Sequence, residues 1–102
     1  MELPYVQGDE LFDWDPVKAA RNYERHGVPF EEAVQVFLDP LRLYLAPEEL
    51  DGEPRDTVIG WSFKPRLLLV VHTERGATTR IISARVPTAH ERKQYTDQQA
   101  HT

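Results

Sequence analysis

The 102-residue chain has no cysteine, so neither a disulfide scaffold nor a thiolate zinc site can be built from it. Its longest uninterrupted apolar run is Leu67-Leu68-Leu69-Val70-Val71, far short of the roughly 20 residues that a membrane-spanning helix needs. The opening Met1-Glu2-Leu3-Pro4 lacks the basic and apolar regions of a signal peptide, which points to a cytoplasmic protein without membrane contact. Glycine is scarce, with 5 in all, and none stands in the GxxxxGK or GxGxxG spacing of a phosphate loop. There is no nucleophile elbow. His26, His72, His90 and His101 are scattered, none three or four residues from another, so no histidine pair is spaced to hold a metal. The dense carboxylates Glu31-Glu32 and Glu48-Glu49 with Asp51 read as solvated acids. No metal and no cofactor is expected.

What is present suffices for one small domain. Hydrophobic residues make up 40% of the chain, and 4 Phe, 4 Tyr and 2 Trp provide bulk for a modest core. The net charge of −5 argues at first against a nucleic-acid partner. That average conceals a gradient: residues 1–57 hold 14 acidic and 5 basic side chains, whereas residues 58–102 hold 3 and 7.

The pattern along the chain predicts a loose arm over residues 1–10, a single domain over 11–97 and a frayed tail over 98–102. Leu11 to Trp14 alternate weakly, as a short strand would. Asp15-Pro16 is a helix start, with Asp as N-cap and Pro at the first helical position, and Gly27 a helix stop, so a helix is expected over Pro16–His26. Phe30, Ala33, Val34, Phe37 and Leu38 fall at helical spacing and predict a second helix, ended by Asp39-Pro40. Leu41, Leu43 and Leu45 alternate as in a half-buried strand, and the acidic stretch Pro47 to Pro54 reads as an exposed loop. Thr57 to Phe63, Arg66 to Glu74 and Thr78 to Arg85 then predict three strands joined by short turns, an antiparallel meander. Thr88-Ala89-His90-Glu91 is a capping box that opens a last helix, expected to fray after Tyr95. The expected class is therefore α+β: two N-terminal helices, a four-stranded and mostly antiparallel sheet, and a C-terminal helix.

The meander and last helix carry Lys64, Arg66, His72, Arg75, Arg80, Arg85, His90, Arg92 and Lys93. If these converge in space they suit phosphate, because guanidinium groups bind it bidentately and stabilise charge that builds on a pentacoordinate phosphorus. If they do not, they are ordinary solvated charges. His72 sits where an apolar strand face turns polar, which fits either a core-edge histidine or a proton carrier. His26, in the last turn of its helix, favours the helix dipole. Tyr95 offers a phenol that can stack on a base or pack the last helix on the sheet, and Trp14 and Trp61 are candidate core anchors.

The stretch Phe12-Asp13-Trp14-Asp15, Lys18-Ala19, Asn22 and Arg25-His26-Gly27-Val28-Pro29-Phe30-Glu31-Glu32-Ala33 resembles the opening signature of the BrnT family, toxins of BrnT/BrnA toxin–antitoxin pairs. Ile59-Gly60, Arg66 to Arg75, Arg80 to Arg85, and Glu91-Arg92 with Tyr95 resemble the family's closing block in order and spacing. Coverage runs from about Phe12 to Tyr95. The sequence departs from the pattern at Pro65 and in the longer, more acidic stretch between Leu45 and Arg55. The resemblance implies a RelE-like fold and metal-independent cleavage of RNA that inhibits translation. It further implies neutralisation by a BrnA-type antitoxin and autoregulation in which operator DNA is met only through the antitoxin. Carried over by position, the catalytic candidates are Arg55, His72, Arg80, Arg85 and Tyr95, with Lys64 as a lesser one; Lys64, Arg66, Arg75, Arg92 and Lys93, from the basic set above, are the RNA-binding candidates. A catalytically weak member that only binds its antitoxin is the alternative.

Overall fold

The computed structural model describes residues 5–100, which form three helical segments and a mixed sheet. The chain opens with a hairpin of β1 (Tyr5–Gln7) and β2 (Glu10–Asp13). Residues 5–7 are therefore not the loose arm that their sequence predicts; pairing with β2 supplies the order that local pattern lacks. Helix α1 (Pro16–His26) starts as its residues dictate: the Asp15 carboxylate accepts from the amides of Val17 and Lys18, at 2.8 and 3.3 Å. It stops where Gly27 takes the left-handed conformation at φ 69° and donates to the Tyr23 carbonyl.

The predicted second helix is cut short. Only the single turn α2 (Phe30–Ala33) is α-helical, and Val34–Leu38 tightens into a 3-10 segment. Val34 and Val36 are β-branched and favour the α-helix weakly, and both are fully buried. The Val36 backbone also lies so close to the sheet that a Cβ on Gly60 would come within 3.0 Å of its carbonyl oxygen.

Beyond lie β3 (Leu43–Tyr44), β4 (Glu48–Leu50), β5 (Glu53–Trp61), β6 (Leu67–Arg75), β7 (Thr78–Arg85) and α3 (Ala89–Ala100). The strand order is β1-β2-β7-β6-β5-β3, with β4 paired to β5 off that path. The sheet thus has seven strands rather than four, and it is mixed, since β2 runs parallel to β7. The acidic stretch read as a loop is in fact the β4–β5 hairpin: Asp51 and Gly52, at φ 53° and 78°, make a tight Asp-Gly turn.

Alternation along β6 divides the core in two. Leu68 and Val70 face α1, α2 and the 3-10 segment, joining Phe12, Phe30, Val58 and Ile81. Leu67 and Leu69 face the other way and join Ile59 and Tyr95 of α3. Complete burial of a side chain of this size stabilises by about 1.5–3 kcal/mol. Trp14 packs against the first cluster, whereas Trp61, expected as a core anchor, is 41% exposed. The Thr88–Glu91 capping box forms, and α3 continues past Tyr95 to Ala100, with the Gln98 amide donating to the Leu41 carbonyl at 2.9 Å.

Candidate functional site

Strand register places the arginines. Arg85 is opposite Leu69, and Arg80 is opposite both Thr73 on β6 and Asp13 on β2. A bulge near Ile82, where β6 steps from Val71 to His72, keeps Arg80 and Arg85 on one side although they are five residues apart. Arg55, two and four residues before Thr57 and Ile59 on β5, and Arg75 on β6 fall on the same side by alternation. The face shared with α3 therefore carries four arginines: Arg55, Arg75, Arg80 and Arg85.

Three of the four meet a carboxylate. Arg85 grips Glu91 bidentately, at 2.7 and 3.0 Å, and that guanidinium, aided by the Thr88 amide, drives the Glu91 carboxyl down to about 2. Arg75 meets Glu53 at 2.9 Å in an exposed pair. Arg80 lies 3.3 Å from an Asp13 oxygen that accepts no hydrogen bond, so the two attract as charges without aligned donor geometry. Arg55 is half-buried, and its Nε is buried without a hydrogen-bond partner among the described residues. Asp13 and Glu53 were not legible as site residues in the sequence. The register that sets Asp13 beside Arg80 is a parallel pairing that local pattern does not encode.

The other candidates lie elsewhere. His72 is opposite Asp56 and points to the α1 side of the sheet, away from the arginines. It is 2% exposed, its ring set edge-on to Phe37 at 4.9 Å and to Tyr44 at 6.2 Å, and neither ring nitrogen has a hydrogen-bond partner. Burial pushes its pKa down, opposed in part by Asp56, so the neutral imidazole is favoured. The Tyr95 hydroxyl donates to Asp39 at 2.6 Å; burial and then this bond push the phenol's pKa far up, which holds its proton in place. Asp39 also accepts from the amides of Trp61 and Leu41, so Tyr95 locks α3 to the end of β5.

Arg66 clamps Glu32 with two bonds of 2.6 and 2.7 Å and donates to the Gly27 carbonyl, joining β6 to the helices. Lys64 lies exposed in the turn before it. On α3, Lys93 pairs with Asp97 at 2.7 Å, while Arg92 is exposed with no ion pair among the described residues. The structure therefore sets Arg55, Arg75, Arg80 and Arg85 on the face that α3 covers in part and His72 on the opposite one, while the Tyr95 hydroxyl, on the arginine side, is taken up by Asp39.

A small α+β domain with arginine–carboxylate pairs on one open sheet face is the class these features define. The family model of the ribonuclease toxin BrnT of type II toxin–antitoxin systems matches residues 14–91, and the chain belongs to that family. Among solved structures, the crystal structure of the Brucella abortus ribonuclease toxin, BrnT, superposes with a TM-score of 0.62 at 24% identity, covering 76% of this chain and 95% of that one. The likeness extends to the fold, an α+β arrangement of three helical segments on a mixed sheet. No curated protein sequence matches. As a member of a type II toxin family, the chain has an antitoxin protein as its partner.

Proposed function

We propose that this chain is an endoribonuclease toxin that cuts RNA in the cytoplasm without a metal ion and so slows translation. A BrnA-type antitoxin neutralises it, and the pair represses its own operon, with DNA touched by the antitoxin alone. The observation that carries this reading is the set of four arginines on one open sheet face. Their charge can supply what a metal otherwise supplies, stabilisation of the extra negative charge on a pentacoordinate phosphorus.

In the proposed reaction the 2′-oxygen attacks phosphorus in line, the bond from phosphorus to the 5′-oxygen breaks, and the leaving oxygen takes a proton from water. Products are a 2′,3′-cyclic phosphate and a 5′-hydroxyl. Arg80 and Arg55 hold the phosphate, with Arg85 and Arg75 beside them. Asp13, 3.3 Å from Arg80, is the carboxylate placed to accept the 2′-proton. His72 and Tyr95 act as scaffold, the one packing the 3-10 segment and the other fixing α3. Lys64, Arg66, Arg92 and Lys93 lie outside this set, and among them Lys64 and Arg92, which form no ion pair among the described residues, have the free charge to touch RNA.

The test is cleavage of a defined RNA by purified protein in excess EDTA. Activity is expected, and Arg80→Ala is expected to remove at least 100-fold of it. Absence of cleavage together with unaffected growth on induction without antitoxin refutes the enzyme reading. A second reading has its own support: Arg85 and Arg75 are already held by Glu91 and Glu53, as suits a protein that only grips its antitoxin. Under that reading Arg80→Ala weakens complex formation and leaves nothing catalytic to lose.

A further inference from the structure

Helix α1 carries Lys18, Arg21 and Arg25 at i, i+3 and i+7, a row about 10 Å long on one face. Asn22, 7% exposed, fixes where that row stands. Its side-chain amide donates to the carbonyls of Val28 and Ala84, at 3.1 and 2.9 Å, and its oxygen accepts from the Ala84 amide at 3.1 Å. These bonds satisfy the edge of β7 where β2 no longer does, since β2 pairs only with Thr78, Thr79 and Arg80. The helix is pinned against a bare strand edge.

Between the two lies a cleft of about 300 Å³. Lys18, Arg21, Arg25 and His26 line it from the helix, and Ile82 and Ser83 line it from β7. No carboxylate lines it. Lys18, Arg21 and Arg25 are exposed and make no hydrogen bond or ion pair through their side chains among the described residues. The cleft begins along the β7 edge just past Arg80, the last β7 residue that β2 covers. Asp15, whose carboxylate accepts from the Lys18 amide at 3.3 Å, follows two residues after Asp13, which lies 3.3 Å from Arg80, so the start of α1 and Arg80 are joined by a short stretch of chain.

We propose that the cleft between α1 and β7 is a second phosphate site, which takes the backbone of the RNA strand as it leaves the arginine face past Arg80. The proposal rests on the ribonuclease reading for the identity of the polymer. A row of this length exceeds one phosphate, and fork-shaped guanidinium groups suit phosphate oxygens bidentately. Phosphate entering here displaces only water and counterions, whereas an acidic protein segment on the arginine face must compete with carboxylates already in place. The floor formed by Ile82 and Ser83 offers no positive charge, so the grip falls on the backbone and is indifferent to sequence.

The experiment is binding of a fluorescent 2′-O-methyl RNA 12-mer, which cannot be cleaved, to the full chain from 50 to 200 mM salt. Each phosphate contact on a single strand contributes about 0.7 to the salt slope, so three contribute about 2. The triple variant K18A/R21A/R25A is expected to lose that much slope, so that the wild type weakens about 20-fold more than the variant across the range. The charge-conserving K18R/R21K/R25K keeps the slope. An unchanged slope in a triple alanine variant that keeps its circular dichroism overturns the proposal. So does unchanged RNA binding with lost antitoxin binding, which makes the cleft a protein contact. A wild type that binds with the expected slope yet cuts no RNA leaves the site standing and removes the nuclease instead.

Discussion

Replacing His72 by phenylalanine separates a structural histidine from a catalytic one. Burial has stripped both ring nitrogens of hydrogen-bond partners, and an unsatisfied buried polar atom costs about 1–3 kcal/mol. The groups that face the ring are Phe37 of the 3-10 segment, Tyr44 of β3, Asp56 of β5 and Glu74 of β6, whose nearer oxygen is 3.8 Å from Nδ1. Desolvation outweighs the attraction of Asp56, so the folded-state pKa lies below the ordinary value of 6.5. As pH falls through 6.5 the unfolded chain therefore takes up the proton first. The stabilisation is complete above about 6.5 and is lost towards the lower folded-state value, at a slope of at most about 1.4 kcal/mol per pH unit. Phenylalanine keeps the edge-on packing and carries no proton. His72→Phe is expected to be more stable than the wild type by about 1 kcal/mol at pH 7. The gap should widen between pH 6.5 and 5.5, read as urea midpoints, with RNA cleavage retained. A gap that narrows on acidification shows that Asp56 and Glu74 dominate the site and refutes the burial argument; a folded variant unable to cut RNA refutes the scaffold role.

Glu91→Gln breaks the bidentate pair with Arg85, and because Arg85 is about a third exposed the cost is expected near 1 kcal/mol after solvent screening. The Glu91 carboxyl stands at about 2 in the fold against an ordinary 4.5, so its stabilisation is present above pH 4.5 and fades below it. The variant should accordingly lose part of the acid limb of the stability profile. Tyr95→Phe removes a 2.6 Å donor from Asp39 and is expected to lower stability by roughly 1–2 kcal/mol in urea titrations, loosening α3 first in hydrogen exchange. Gly60→Ala sets a Cβ 3.0 Å from the Val36 oxygen and 3.1 Å from its Cβ, and should cost about 1–3 kcal/mol in the same assay.

Elements whose signals are local were legible in the sequence. Asp15, Pro16 and Gly27 act within one turn of their own positions, so the ends of α1 could be read directly. The apolar run on β6 and the Thr88–Glu91 box were legible for the same reason. Strand β4 was not, because all three of its residues are exposed and no alternation marks it; the Asp51-Gly52 turn was the available signal. Helix α3 outlasts its local pattern through a bond to Leu41, 57 residues away. At the site, residue type was legible and side was not. His72 and Arg80 were both strong candidates by chemistry, yet strand alternation and one bulge send them to opposite faces of the sheet.

The charge gradient along the chain folds into something different from what it suggests. Asp13, Glu32 and Glu53 from the acidic half reach across to Arg80, Arg66 and Arg75 of the basic half. Arg85 and Lys93 find partners within their own half. Among the described residues, this leaves Lys64 and Arg92 as the only unpaired cations of the basic half. All five basic residues of the acidic half, Lys18, Arg21, Arg25, Arg42 and Arg55, have no ion pair. Positive charge ready to meet a polyanion thus lies mostly where the sequence has the least of it. For RNA to reach Arg75, Arg80 and Arg85 it must displace carboxylates held about 3 Å away, which weakens the arginine face as a first contact and leaves the transition state, with its added charge, to compete better than the ground state does. The unpaired row on α1 has no such competitor. In the proposed reading, initial capture falls to α1 and phosphate activation to the sheet, a division that lets a protein of net charge −5 hold a polyanion through local positive charge.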